Sequence, residues 1–235
     1  MVVIELVPTG QYSDRRSVIR YVWREASDYR LALSLRPRSY LRHATAMFLH
    51  ALTDQVPKTI FVNRDQSPKP DNDSSSLSQA SLDRAFKNAA RVSNYVFGIR
   101  QSRAVLVNGK HSNDFEVGMV AHEGEELRVT RLERTLLDAA VRPTYAGGVK
   151  EVLQAFRRAR GRVSGATLLA ALRQLQYTYP YHQSIGFYLE RAGYDDAVLQ
   201  RFRTMERRFD FYLDNRIDQP NYDPSWRVFY PKGLD

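Results

Sequence analysis

The chain has 235 residues, 35 Lys and Arg against 26 Asp and Glu, a formal charge of +9, and 43% hydrophobic residues. It is long enough to bury a stable core unaided, and the absence of cysteine excludes thiolate zinc sites, iron–sulfur clusters, a cysteine nucleophile and disulfides. No run approaches the roughly 18 apolar residues of a membrane span, and Met1 to Gly10 has no basic stretch leading into an apolar one, so a cytoplasmic protein with no membrane partner is expected.

In chain order, Val2 to Val7 and Val18 to Trp23 read as strands across a turn-rich connection. Leu31, Leu33 and Leu35 lead to Pro37, and Ser39 is placed to cap a helix carrying Leu41, Met47, Phe48 and Leu52. Lys58 to Asn63 has the β-branched and aromatic content of a buried strand, whereas residues 65–79, with a triple serine and only Leu77 apolar, read as a mobile loop. A short helix over Leu82 to Ala90 precedes strands at Asn94 to Ile99, Ala104 to Val107, Phe115 to Ala121 and Leu127 to Val129, with Asn108-Gly109 as a turn signal.

After Thr130 the texture becomes helical. Thr130 and Glu133 have capping-box spacing, followed by Leu132, Leu136 and Ala140 until Arg142-Pro143. Further helices carry Val149 to Phe156, then Leu168 to Leu175 behind Ser164, then Ile185 and Leu189 up to Gly193, and strand texture returns at Phe209 to Leu213 and Trp226 to Tyr230. The expected fold class is α/β or α+β: a mixed sheet over 1–130, a mainly helical part over 131–235, and terminal strands free to return to the sheet.

The basic excess is uneven, at +5 for residues 1–64 and +6 for 131–193 against −1 in each remaining segment, and arginines outnumber lysines 29 to 6. The arginine fork suits phosphates and carboxylates, so two basic surfaces are expected, with nucleic acid, a phosphorylated ligand or an acidic protein as the partner. Arg157, Arg158, Arg160 and Arg162 crowd one helix end and its exit, more cations than the helix dipole requires, and are the partner-binding candidates.

Catalytic and metal sets are weak. His43 and His50 share a helix face without a carboxylate to complete a metal set, and His122 with Glu123, Glu125 and Glu126 reads as a polar hairpin turn around Gly124. Gly147-Gly148 lacks the remainder of a phosphate-loop pattern and fits a helix start. Asp114 with Glu126-Leu127-Arg128 loosely imitates a metal nuclease, but an arginine stands where a lysine is needed. No catalytic residue, metal site or cofactor is assigned, and an enzyme is not expected.

Four-residue spacing lets Arg134 and Asp138 pair on their helix while Leu132 and Leu136 face the core. In Tyr177 to Leu189, tyrosines interleaved with Ile185 and Leu189 read as packing before base stacking.

The segments S-Y-L-R-H-A-T-A-M-F-L-H-A-L (Ser39 to Leu52), Q-V-P-K-T-I-F-V-N (Gln55 to Asn63), V-T-R-L-E-R-T-L-L-D with the downstream Gly-Gly (within Val129 to Leu153), Y-P-Y-H-Q-S-I-G-F-Y-L-E-R-A-G-Y (Tyr179 to Tyr194) and W-R-V-F-Y-P-K-G-L (Trp226 to Leu234) resemble the AbiEi antitoxins of type IV abortive-infection systems. The resemblance implies a non-catalytic antitoxin that neutralises a cognate nucleotidyltransferase-like toxin in phage defence, with operon autoregulation through DNA as the alternative and a metal-dependent nuclease as a minor one. Arg131, Glu133, Arg134, Asp138, Gly147 and Gly148 are its motif residues and read as structural. Such antitoxins usually begin with a winged helix-turn-helix of roughly sixty residues, whereas about thirty strand-like residues precede the matching region here. Weak, salt-sensitive DNA binding is therefore expected in place of strong operator recognition.

Overall fold

The computed structural model describes residues 1–23, 25–67 and 77–234. Its fold is mixed α/β: among the described residues, eight α-helices, one eight-stranded mixed sheet and one three-stranded sheet. Contacts divide the chain into two compact units. The first comprises Met1–Leu49, Val92–Arg131 and the described part of Asp54–Lys69. The second comprises His50–Thr53 and the described parts of 70–91 and 132–235.

The first unit holds the large sheet, built from β1 (Val2–Thr9), β2 (Val18–Val22), β3 (Tyr40–Leu41), β4 (Thr59–Asp65), β5 (Val96–Ile99), β6 (Ser102–Gly109), β7 (Val117–His122) and β8 (Glu125–Thr130), in the order β2-β1-β5-β6-β4-β3-β8-β7. β4 lies parallel to β6 and β3 parallel to β8, while the other pairings are antiparallel. Glu123 and Gly124, both at positive φ, make the tight β7–β8 turn read from the sequence. α1 (Asp28–Leu33) is capped by Ser27, whose Oγ accepts the Arg30 N–H, and begins on an aspartate favoured by the helix dipole. Its Leu31 and Ala32 are buried in one core with Leu6, Leu41, Ile60, Val62, Phe97 and Val129. Residues from both halves of the strand order thus close around α1, and the sheet curls about it.

Two local expectations give way here. Tyr40 and Leu41 form β3, so the following helix α2 spans only Ala44–Leu49, and Ser39, instead of capping it, donates its hydroxyl to the Leu33 carbonyl. Asn108 and Gly109 do not turn, because they still pair with Arg64 and Asp65 as the end of β6. Gly109 has a different reason to be glycine: a Cβ there would meet Arg42 Nη1 at 2.5 Å and Asn63 Oδ1 at 2.6 Å. Within the proposed mobile loop 65–79, Asp65 closes β4 and Gln79 opens a helix, and residues 68–76 lie outside the described residues.

The second unit contains α3 (Gln79–Lys87), α4 (Leu132–Val141), α5 (Val149–Ala159), α6 (Gly165–Leu175), α7 (Tyr181–Arg191) and α8 (Asp196–Arg203). The terminal strands do not rejoin the large sheet: β9 (Phe211–Tyr212), β10 (Asn221–Asp223) and β11 (Val228–Tyr230) form their own, in the order β10-β11-β9. α3 groups with them through side chains, since Gln79 exchanges hydrogen bonds with the Asp210 backbone and Tyr212 OH donates to Asp83. Ser164 caps α6 as its position suggests, accepting the Thr167 N–H. α7 packs on Trp226, which is fully buried, at Gly186, where a Cβ would lie 2.1 Å from the indole.

Candidate functional site

Of the motif residues, Arg134 and Asp138 are buried. Arg134 Nε lies 3.0 Å from Asp138 Oδ1, with 2% and 0% of the two side chains exposed, so the expected pair forms inside the core of the second unit. α4 starts at Leu132, two residues after Thr130, and the Glu133 carboxylate accepts the Ser164 N–H at 3.4 Å, tying α4 to the start of α6. Gly147 and Gly148 adopt φ of 89° and 97°, the left-handed region that favours glycine, and Gly148 is the N-cap of α5. Arg131 belongs to the first unit, where its N–H donates to the Glu116 carbonyl and its side chain is mostly exposed.

The candidate arginines are on the surface. Arg157 and Arg158 occupy the last turn of α5, Arg160 is its C-cap, Arg162 follows Gly161, and all four are exposed. The apolar stripe Val149, Val152, Leu153 and Phe156 faces inward, which leaves Lys150, Gln154, Arg157 and Arg158 on the outer face. Arg162 Nη2 donates to the His50 carbonyl at 2.9 Å. Burial first, tempered by the Arg160 charge, sets the neighbouring Tyr194 phenol at about 12, and its OH donates to the Phe156 carbonyl.

The remaining sequence candidates separate. Asp114 pairs with Arg128 Nη2 at 2.9 Å, and among the described residues no group of three His, Cys, Asp or Glu is placed to hold a metal ion. His43 and His50 lie outside α2, one on each side of it; His43 is buried edge-on to Phe61, and His50 belongs to the second unit. Tyr181, Ile185 and Leu189 are buried, and Tyr177, Tyr179 and Phe211 each meet the Tyr181 ring edge-on. Burial raises the Tyr181 phenol far above its ordinary value.

Sequence reading missed a cleft of about 710 Å³ in the first unit. It lies where the curl brings the two ends of the strand order, β2 and β7, to the same opening beside α1. Arg20, Arg30, Arg36, Arg38 and Arg128 line it, with Glu126 as the lone carboxylate among the described lining residues. Arg20 is held by Ser34 Oγ at 2.9 Å and by the Ser34 and Ile19 carbonyls, and Arg36 by the Asn108 side-chain oxygen, all neutral acceptors. Desolvation lowers the pKa of Arg36, with the Tyr95 hydroxyl acting against it and the Arg64 charge adding to it. The one sequence signal for this cleft was the +5 excess of residues 1–64.

Asp65 ends β4. Burial pushes its carboxyl up, yet the hydroxyls of Tyr40 and Ser112 and the N–H groups of Ser112 and Asp114 hold it net below the ordinary range. A second cavity, of about 460 Å³, lies in the second unit between α3, Arg142 and Asp214. Burial raises the Asp214 carboxyl.

No protein-family model matches the chain, and no curated protein matches it. Its backbone is similar to the crystal structure of the RV2827C protein from Mycobacterium tuberculosis, with a TM-score of 0.54 and 15% identity. The match covers 85% of this chain and 65% of that one, so the chain spans just under two thirds of its length. At this identity the likeness concerns the fold alone. No helix among the described residues is long and apolar enough to cross a membrane.

Proposed function

We propose that this protein is an antitoxin of the AbiEi kind, which neutralises a nucleotidyltransferase-like toxin by binding and not by chemistry. The observation that carries the reading is the contrast on consecutive elements between α4 and the α5 exit. The resembling segment spends its charged pair, Arg134 and Asp138, inside the core, while the adjacent Arg157, Arg158, Arg160 and Arg162 are all turned to solvent. Core pairs hold a fold, whereas exposed arginines are available to an acidic surface, where desolvation on docking makes them count. Asp114, the residue on which a nuclease would depend, is already engaged by Arg128.

The test is co-expression with the nucleotidyltransferase-like reading frame beside its gene. Expression of that frame alone is expected to arrest growth, and this chain to relieve the arrest. Absence of such a frame, or arrest that persists at full expression of this chain, removes the reading.

A further inference from the structure

The α5 surface does not account for the second arginine concentration, the cleft of the first unit. We propose that this cleft binds single-stranded nucleic acid, with Arg20, Arg36 and Arg38 holding consecutive phosphates and Tyr21 offering its ring to a base. The inference does not rest on the antitoxin reading and stands or falls separately.

Three observations lead to it. First, the guanidinium groups are positioned and their charge is not spent. Arg20 is bound by serine and backbone oxygens and Arg36 by Asn108, so both are oriented without a carboxylate to neutralise them. Arg38 makes no ion pair among the described residues and is exposed. Arg128 is matched by Asp114, and Arg30 lies 3.8 Å from Glu125, so these two contribute less net charge.

Second, two further arginines lie close to Arg36. Arg36 lies over the Tyr95 ring at 5.4 Å and Arg15 over the same ring at 5.1 Å, while Arg64 is close enough to oppose the charge of Arg36. A group of like charges fits a ligand with repeated anions better than one with a single carboxylate, and the planar arginine fork matches phosphate oxygens.

Third, the mouth offers apolar surface: the Tyr21 side chain is 69% exposed and Met119 56% exposed. An arginine-lined groove with an aromatic platform is the general form of single-strand binding, in which stacking is tolerant of sequence. A cavity of about 710 Å³ has room for a nucleotide or two and not for a duplex.

The test is fluorescence anisotropy of the full chain with a labelled oligo(U) strand of about twelve nucleotides, a length within the usual range for single-strand grooves. The Arg36→Gln/Arg38→Gln variant is expected to bind at least about tenfold more weakly, with a salt dependence flatter by roughly 1.4 units of log K per log salt, since each of the two lost phosphate contacts on a single strand contributes about 0.7. Arg38→Gln alone, at an exposed position, is expected to weaken binding several-fold with an unchanged melting curve, and Tyr21→Ala by about fivefold or more, the loss of one stacked base. Arg157→Gln/Arg158→Gln is expected to bind like the parent. Equal binding by the parent and both arginine variants of the cleft overturns the proposal. Full competition by duplex overturns it in favour of general polyanion attraction, by polyglutamate in favour of an acidic peptide, and by ATP at equal phosphate in favour of a small-molecule pocket.

Discussion

The two arginine concentrations of this chain carry similar charge and have opposite geometry. In the first unit, residues from β2, α1, the connection after it and β8 converge on a concavity, and neutral oxygens hold the guanidinium groups of Arg20 and Arg36 in place. In the second unit the arginines are neighbours in sequence and project from the convex end of one helix. A concave, prearranged set selects a ligand by shape and spacing, whereas a convex set adds charge to whatever surface meets it. Net charge alone does not distinguish the two.

A third use of arginine sharpens the contrast, because Arg134 is neither concave nor convex but interior. Removing Asp138 leaves a guanidinium in the core without its carboxylate, and Asp138→Ala is expected to cost about 3–5 kcal/mol in urea unfolding. Replacing both members by apolar residues of similar volume is expected to recover most of that loss. A cost below about 1 kcal/mol for the single variant would mean that the pair is solvated, and the distinction between framework and surface arginines would fail.

Next in size is Gly186→Ala. Its Cβ has no room against Trp226, which is also fixed by an indole N–H to Glu190 at 2.8 Å, so overpacking is expected to cost about 1–3 kcal/mol. Gly109→Ala tests the first unit in the same way. There the displaced atoms belong to Arg42 and Asn63, a buried polar contact at 3.0 Å, and not to an aromatic core.

These glycines mark the limit of what the sequence discloses. The strands β1, β2 and β4 and the helices α4 to α7 were legible because their signals are local: β-branched runs, four-residue apolar spacing, Ser164 as a cap, Arg142-Pro143 and Gly193 as stops. α1 was not, since a six-residue helix with three consecutive apolar residues has no periodicity to read and depends on the sheet around it. β3 was missed for a related reason, as two residues become a strand only by pairing with β4 and β8, neither adjacent in sequence. Asn108-Gly109 carried a true glycine requirement with the wrong cause, close packing in place of a turn. The cleft lay furthest from view: positions 20, 30, 36, 38 and 128 share no spacing, and only the curl of the sheet unites them.

A smaller effect follows from pH. Burial lowers the pKa of His182 below its ordinary 6.5, despite the hydrogen bond between Nε2 and the Glu206 carbonyl. The folded state therefore binds this proton less readily than the unfolded chain, and its contribution is complete above pH 6.5 and lost as pH falls through the lowered value. Asp65 and Asp210 also have net lowered values: burial acts against the shift, and is outweighed by hydrogen bonds from Tyr40 and Ser112 in one and from Arg227 and Tyr222 in the other. Their contributions are present above pH 3.8 and lost as pH falls further. Asp214 runs the other way, since burial raises its carboxyl, and between its raised value and 3.8 acidification favours folding. Urea midpoints are expected to decline first just below pH 6.5, a step that His182→Gln removes. A midpoint flat from pH 7 to 5 in the parent would contradict the assignment to His182.

The smallest expected change in stability carries the largest functional contrast. Changing Arg157, Arg158, Arg160 and Arg162 together to glutamine removes exposed charges at a helix end, and exposed pairs contribute about 0–1 kcal/mol each at most. Arg162 also gives up its bond to the His50 carbonyl, so a loss of about 1 kcal/mol in total is the expectation, near the net contribution of one hydrogen bond. If this convex end is where a toxin docks, the variant folds and melts like the parent and no longer relieves growth arrest, while Arg36→Gln/Arg38→Gln in the cleft still does. Relief that survives in the quadruple variant and fails in the cleft variant would exchange the roles of the two surfaces. The concave site would then serve the antitoxin function, and the helix end would be solvated charge.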